Sequence, residues 1–135
     1  MPQTPQDVAL AFVTAINHHD IDELCGLMPD DHRFIDSLGG ATLGLDNMRN
    51  GWAGYFEMFP DYELCVEETV TSGSTVIMLG TARGTYVQKS EQMLPQNSWQ
   101  MPAAWRALIQ NEKVLEWRVY ADNEPVRQIL ASTRK

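Results

Sequence analysis

Trp99-Gln100-Met101-Pro102-Ala103-Ala104-Trp105-Arg106-Ala107-Leu108-Ile109, then Gln110-Asn111-Glu112, then Val114-Leu115-Glu116-Trp117-Arg118-Val119-Tyr120 is the stretch on which the architecture turns. In the first run Trp99, Met101, Ala103 and Trp105 recur at every second position, the period of a strand whose two faces differ. The three polar residues after it make a turn, and the second run returns as an antiparallel neighbour. Upstream, Tyr62 to Thr71 and Thr75 to Val87 repeat the arrangement around Ser72-Gly73-Ser74. Long strands joined mostly by short turns therefore fill the C-terminal half. Gly80 and Gly84 stand inside a strand, where a strongly bent sheet needs bulges or close backbone approach. The connection Gln88 to Ser98 is polar, carries Pro95, and is expected as an exposed loop that could cover an opening.

The N-terminal half reads differently. Thr4-Pro5-Gln6-Asp7 opens a helix with a hydroxyl N-cap, proline at the first helical position and Asp to complete a capping box. Val8, Phe12, Ala15 and Ile16 then form one buried stripe as far as His18, with Asn17 outside. Asp20 and Glu23 cap a shorter helix, which turns Ile21, Leu24 and Leu27 inward and stops before Pro29. The extended run His32-Arg33-Phe34-Ile35-Asp36-Ser37 follows and is closed by Gly39-Gly40. A third helix, capped by Asp46 or Asn47, carries Met48, Trp52, Tyr55 and Phe59 until Pro60. A last short helix runs from Pro125 to Leu130 behind Asp122 or Asn123. The order ααβα followed by a run of strands predicts an α+β fold over residues 1–135 as a single domain. Its curved antiparallel sheet is cone-shaped, with helices packed on one side, enclosing a pocket.

With 135 residues, 44% of them hydrophobic, the chain can bury a core without disulfides or a structural metal. Ten basic residues against 18 acidic ones leave a net charge of -8, which argues against nucleic acid and anionic membrane surfaces as partners. Cys25 and Cys65 have no second cysteine at metal-ligand spacing and read as buried apolar residues of a reducing compartment. No basic leader and no long apolar run is present, so a soluble cytoplasmic protein is expected.

Phosphate-loop, dinucleotide, nucleophile-elbow and zinc-protease motifs are absent. What remains is a few polar residues among aromatics. Asp36 follows Phe34 on a strand and precedes a loop of small residues; a dry setting would raise its pKa toward that of a general base, or it caps the following turn. His32 falls on the same face and could orient Asp36, or could pair with Asp30 or Asp31. Asp122 is a second candidate carboxylate or a helix N-cap. Trp52, Tyr55, Trp99, Met101, Trp105 and Phe34 are core residues or the walls of a cavity for a flat apolar ligand. Tyr55 or Tyr120 could donate a phenol hydrogen to a carbonyl or enolate oxygen. No metal-ligand set and no cofactor is called for.

The hairpin ending His19-Asp20-Ile21-Asp22, the strand Phe34-Ile35-Asp36-Ser37 with Gly39-Gly40, Gly44 before the Trp52 and Tyr55-Phe56 helix, and Val119-Tyr120-Ala121-Asp122 with Gln128-Ile129-Leu130 carry a resemblance. Together they resemble the nuclear transport factor 2-like superfamily, in its SnoaL-like and ketosteroid-isomerase-like branch. The resemblance implies a cystatin-like α+β barrel. It also puts Asp36 where ketosteroid isomerases have their general base, an Asp that works with a Tyr and a protonated Asp as oxyanion donors. Phe12 and Ala103 stand at the positions of those two donors, a departure that argues against steroid isomerisation itself. The resemblance further places Asp122 near the carboxylate used by SnoaL-type polyketide cyclases.

Two functions follow from these residues. One is proton transfer on a small apolar carbonyl compound, of isomerase, cyclase or dehydratase type, by Asp36 with His32 and a tyrosine. The other is a ligand-binding or dimerisation module without turnover. A homodimer paired through the outer face of the sheet is also implied by the resemblance.

Overall fold

The computed structural model describes residues 3–88 and 92–133. Helix α1, Pro5–Asn17, starts as its sequence dictates: the Thr4 side chain accepts from the Asp7 amide and the Asp7 carboxylate accepts from the Thr4 amide. Helix α2, Ile21–Gly26, is capped by Asp20. Between them His19 adopts φ 54°, donates from Nε2 to the Tyr62 carbonyl at 2.9 Å, and stacks on Phe56 with ring centroids 4.1 Å apart. Sequence reading leaves Asn17 outside; Asn17 and His19 are both ties to the sheet side of the hairpin. The Asn17 amide donates to the Leu64 carbonyl and accepts from the Leu64 amide, at 2.9 and 2.8 Å. It thereby satisfies backbone groups on an edge strand that has no further strand to pair with.

Strands β1, Arg33–Ile35, and β2, Ala41–Leu43, precede helix α3, Leu45–Met58; β3, Glu63–Ser72, β4, Thr75–Thr85, β5, Ser98–Gln110, and β6, Lys113–Ala121, lead to helix α4, Glu124–Thr133. Helix α3 begins behind Gly44, whose φ of 95° turns the chain, and has no side-chain cap, so neither Asp46 nor Asn47 is the N-cap. The loop expected at Gln88 to Ser98 lies partly outside the described residues; its later part holds a single tight turn, Pro95–Asn97.

The six strands lie in the order β2-β1-β6-β5-β4-β3. The α+β class holds, with two corrections to the expected sheet. It is mixed, because β1 runs parallel to β6, and it is open, with β2 and β3 as edges, so it is not a closed barrel. The parallel pair has a simple origin: β1 enters the sheet from the helical hairpin, not from a tight turn off its neighbour, so nothing forces it antiparallel. Strand β2, which pairs with β1 antiparallel, lies in what the sequence presents as a loop.

Bulges between Val66 and Glu68 and between Leu108 and Ile109 interrupt the register and bend the sheet. At the first of them a Cβ on Gly80 would collide with the Cys65 carbonyl, so only glycine permits this approach. The concave face carries Trp105, Trp117, Met78 and Val76, all at most 1% exposed, and packs beneath Val8, Phe12 and Ile16 of α1. The outer face carries Glu116, which accepts from Arg33 Nε and Arg106 Nη1, each at 2.7 Å. Cys25 is buried; Cys65, expected inside, is exposed because its position in β3 faces outward.

Candidate functional site

The alternation read in β5 has its consequence here. Trp99, Met101, Ala103 and Trp105 all face inward, with the exposed or half-buried residues between them facing out. Beside them on β6 are Trp117, Val119 and Ala121, and across the space α3 presents Met48, Trp52 and Tyr55. These elements do not fill the volume between them. A cavity of about 260 Å³ remains, and it opens at Asp36, Thr42 and Gly51, which are exposed.

One wall is a succession of rings: Phe34, Trp52, Tyr55, Tyr62 and Trp99, with neighbouring centroids 4.8 to 6.2 Å apart. Edge-on contacts dominate, 77° for Phe34 on Trp52 and 84° for Trp52 on Tyr55. The indole Nε1 groups of Trp52 and Trp99 are buried without an acceptor among the described residues. Burial pushes the Tyr55 hydroxyl up to about 12, against the opposing effect of its hydrogen bond with Tyr62. Tyr62 is raised as well, first by burial and then by Tyr55. The two rings meet edge to face, their centroids 4.8 Å apart.

Asp36 sits at the mouth. Its Oδ1 accepts from the amides of Leu38 and Gly40, both at 2.9 Å, while Oδ2 receives no donor among the described residues. A Cβ on Gly40 would come within 2.8 Å of Oδ2, so the small residue is what leaves this oxygen uncovered. One oxygen caps the turn, and the other, at the mouth of the cavity, has no donor among the described residues; the side chain is exposed, so the dry setting expected for a general base is not what surrounds it. Next to it the Asn123 amide donates to Ser37 Oγ at 2.6 Å, joining the start of α4 to the end of β1 across the rim.

Of the residues singled out from sequence, Asp36, Phe34, Trp52, Tyr55, Trp99, Met101 and Trp105 line this cavity; His32, Asp122 and Tyr120 do not. His32 and Asp36 flank the three residues of β1 at opposite ends, about 13 Å apart along an extended chain. Its ring is fully buried near Phe12, with centroids 6.1 Å apart, and Nδ1 donates to the Val114 carbonyl at 2.6 Å. It orients no carboxylate, and burial holds it below the usual histidine range. Asp122 is exposed and accepts from the Glu124 amide at 3.0 Å, an Asx bond just ahead of α4, in which Asn123 holds the cap position. Tyr120 projects from the outer face, with the Arg118 guanidinium 5.2 Å from its ring centre. A strand that turns Trp117, Val119 and Ala121 inward must turn Tyr120 outward.

Sequence reasoning does not single out Tyr62, Ser37, Asn123 or Met48 as site residues. Met48 is legible, since it lies one helical turn from Trp52 on the same face. No local signal marks Tyr62 or Asn123, which reach the cavity only because chain ends of distant elements meet there. Among the described residues no group of three or more His, Cys, Asp or Glu is placed to hold a metal, and no helix is long and apolar enough to cross a membrane.

The SnoaL-like domain family matches residues 9–122 of the chain. No curated protein sequence matches it. Among solved structures, a SnoaL-like, polyketide-cyclase-like protein from Shewanella denitrificans superposes with a TM-score of 0.81 at 17% identity, covering 96% of this chain and 98% of its own. An NTF2-like protein of unknown function from Cytophaga hutchinsonii gives 0.73 at 16% identity, covering 94% and 97%. A ketosteroid-isomerase-like fold from Catenulispora acidiphila, solved with trimethylamine, gives 0.76 at 15% identity and 91% of each chain. At these identities the solved structures speak for the fold alone.

Proposed function

The chain belongs to the SnoaL-like domain family, and from that premise we propose that it is an enzyme of acid/base chemistry on a small apolar carbonyl compound, of isomerase, cyclase or dehydratase type. The observation that carries this reading is a carboxylate oxygen, Asp36 Oδ2, left free at the mouth of an aromatic cavity by a turn that holds its partner oxygen. Asp36 would take a proton from the carbon next to the carbonyl. The charge developing on the carbonyl oxygen would be met by the Tyr55 hydroxyl, which lines the same cavity. The rings exclude water from the reacting carbon and orient the flat substrate. This chemistry requires no metal and no organic cofactor.

Deuterium incorporation from heavy water next to the carbonyl of small cyclic ketones, followed by NMR, tests the proposal without knowledge of the natural substrate. Asp36→Asn should lower the rate at least roughly 100-fold, the scale of a lost general base. Equal exchange in wild type and variant removes Asp36 from the mechanism. A second reading, a module that holds a metabolite without turnover, is favoured by one fact: Asp36 is exposed and already serves the turn. Pairing of two copies through the outer sheet face belongs to the proposal, supported by exposed Val70, Leu79 and Tyr120 on that face. Sedimentation as a monomer at micromolar concentration would count against it.

A further inference from the structure

The charge of the ligand follows from what the cavity lacks as well as what it holds. Of its 18 lining residues seven are aromatic, Asp36 is the one that carries a charge, and none is Lys, Arg or His. The concave site of a protein of net charge -8 is therefore a place of negative potential, with aromatic side chains, one uncovered carboxylate oxygen and no compensating cation among the described residues. An anion entering it would lose its hydration and meet Asp36; a cation would be drawn in by the net field, by the carboxylate and by the quadrupoles of the rings. The volume, about 260 Å³, lies below the roughly 300–1,000 Å³ of clefts that hold drug-sized ligands.

We propose that the ligand of this cavity is a protonated or quaternary amine of one or two rings, bound with its ammonium at the mouth against Asp36 and its apolar body among the aromatic side chains. The inference rests on the reading of the cavity as a ligand site and adds the sign of the ligand's charge. An amino ketone would unite the two readings, with its ammonium toward Asp36 and its carbonyl toward the Tyr55 hydroxyl. Carboxylates, phosphates and phosphate-bearing thioesters are excluded as ligands.

Three probes of matched shape test it: phenyltrimethylammonium, neutral tert-butylbenzene, and benzenesulfonate, each titrated into the full chain with tryptophan fluorescence as readout. The cation should bind about tenfold more tightly than tert-butylbenzene at low salt, and benzenesulfonate more weakly than either. In Asp36→Asn, which keeps an oxygen to accept from the Leu38 and Gly40 amides, the preference for the cation should fall to about threefold or less. If tert-butylbenzene binds as tightly as the cation, or if Asp36→Asn keeps the full preference, the amine inference is overturned while the cavity remains a ligand site. If none of the three binds, the inference falls together with the reading of the cavity on which it rests.

Discussion

His32 offers a measurement that separates a structural histidine from a catalytic one. The side chain is fully buried, Nδ1 donates to the Val114 carbonyl at 2.6 Å, and Nε2 has no partner among the described residues. A second proton would put a charge on Nε2 in that setting. Burial is accordingly the largest influence and lowers the pKa; the Val114 hydrogen bond, Asp31 and Glu116 oppose it, and Arg33 assists it. The unfolded chain takes up its proton near pH 6.5 and the folded chain only at lower pH. Stability is then fully present above about pH 6.5 and declines as the pH falls from there toward the folded value. One group limits the slope to about 1.4 kcal/mol per pH unit. Urea unfolding between about pH 7.5 and 5 should show a decline of up to that steepness, and it should be absent in His32→Gln, which retains a donor for Val114 and cannot titrate. The slope, not the absolute stability, is the readout, since glutamine packs less well. A stability that is flat or rises on acidification, or a slope unchanged in His32→Gln, refutes the buried neutral histidine.

Other outcomes follow from the same geometry. Glu116→Gln leaves Arg33 and Arg106 on a carboxylate-shaped but neutral partner; because both arginine side chains are about a third exposed, at 38% and 34%, the cost in urea unfolding should be only about 1–3 kcal/mol. No measurable loss would mean that the bridge contributes nothing. Gly80→Ala drives a Cβ into the Cys65 carbonyl and should cost about 3 kcal/mol or prevent folding, whereas Gly54→Ala, with open space around it in α3, should be neutral or stabilise by up to about 1 kcal/mol. A tolerated Gly80→Ala would show that the bulge is not as close as described. The phenolate absorbance lost in Tyr55→Phe should be centred near pH 12; a centre near the ordinary tyrosine value would place Tyr55 in water.

Much of the concave wall is legible in the chain itself. Trp99, Met101 and Trp105 announce an inward face because alternation along a strand is a local property, and Trp52 with Tyr55 does the same along a helix. The capping box of α1 is equally local. His32 misleads for a reason of the same kind: parity tells which side of a sheet a residue faces, but not which element covers it. Position 32 lies under α1, while position 36 lies past the strand end, where nothing covers it. Asp122 and Tyr120 draw attention through their chemistry, yet Tyr120 is turned out by the alternation that turns Trp117 in, and Asp122 spends its carboxylate on a helix start.

By itself the sequence determined the α+β class, the starts of α1 and α2, the hairpins of β3 to β6 and the aromatic character of one face, because each is written in contacts between residues near in the chain. Only the tertiary structure decided that β1 joins β6 in parallel, that Tyr62 and Asn123 reach the site, and that Asp36 has one oxygen anchored and one free. Those features depend on how distant elements meet, and on the volume they leave unfilled between them, which no period in the chain encodes.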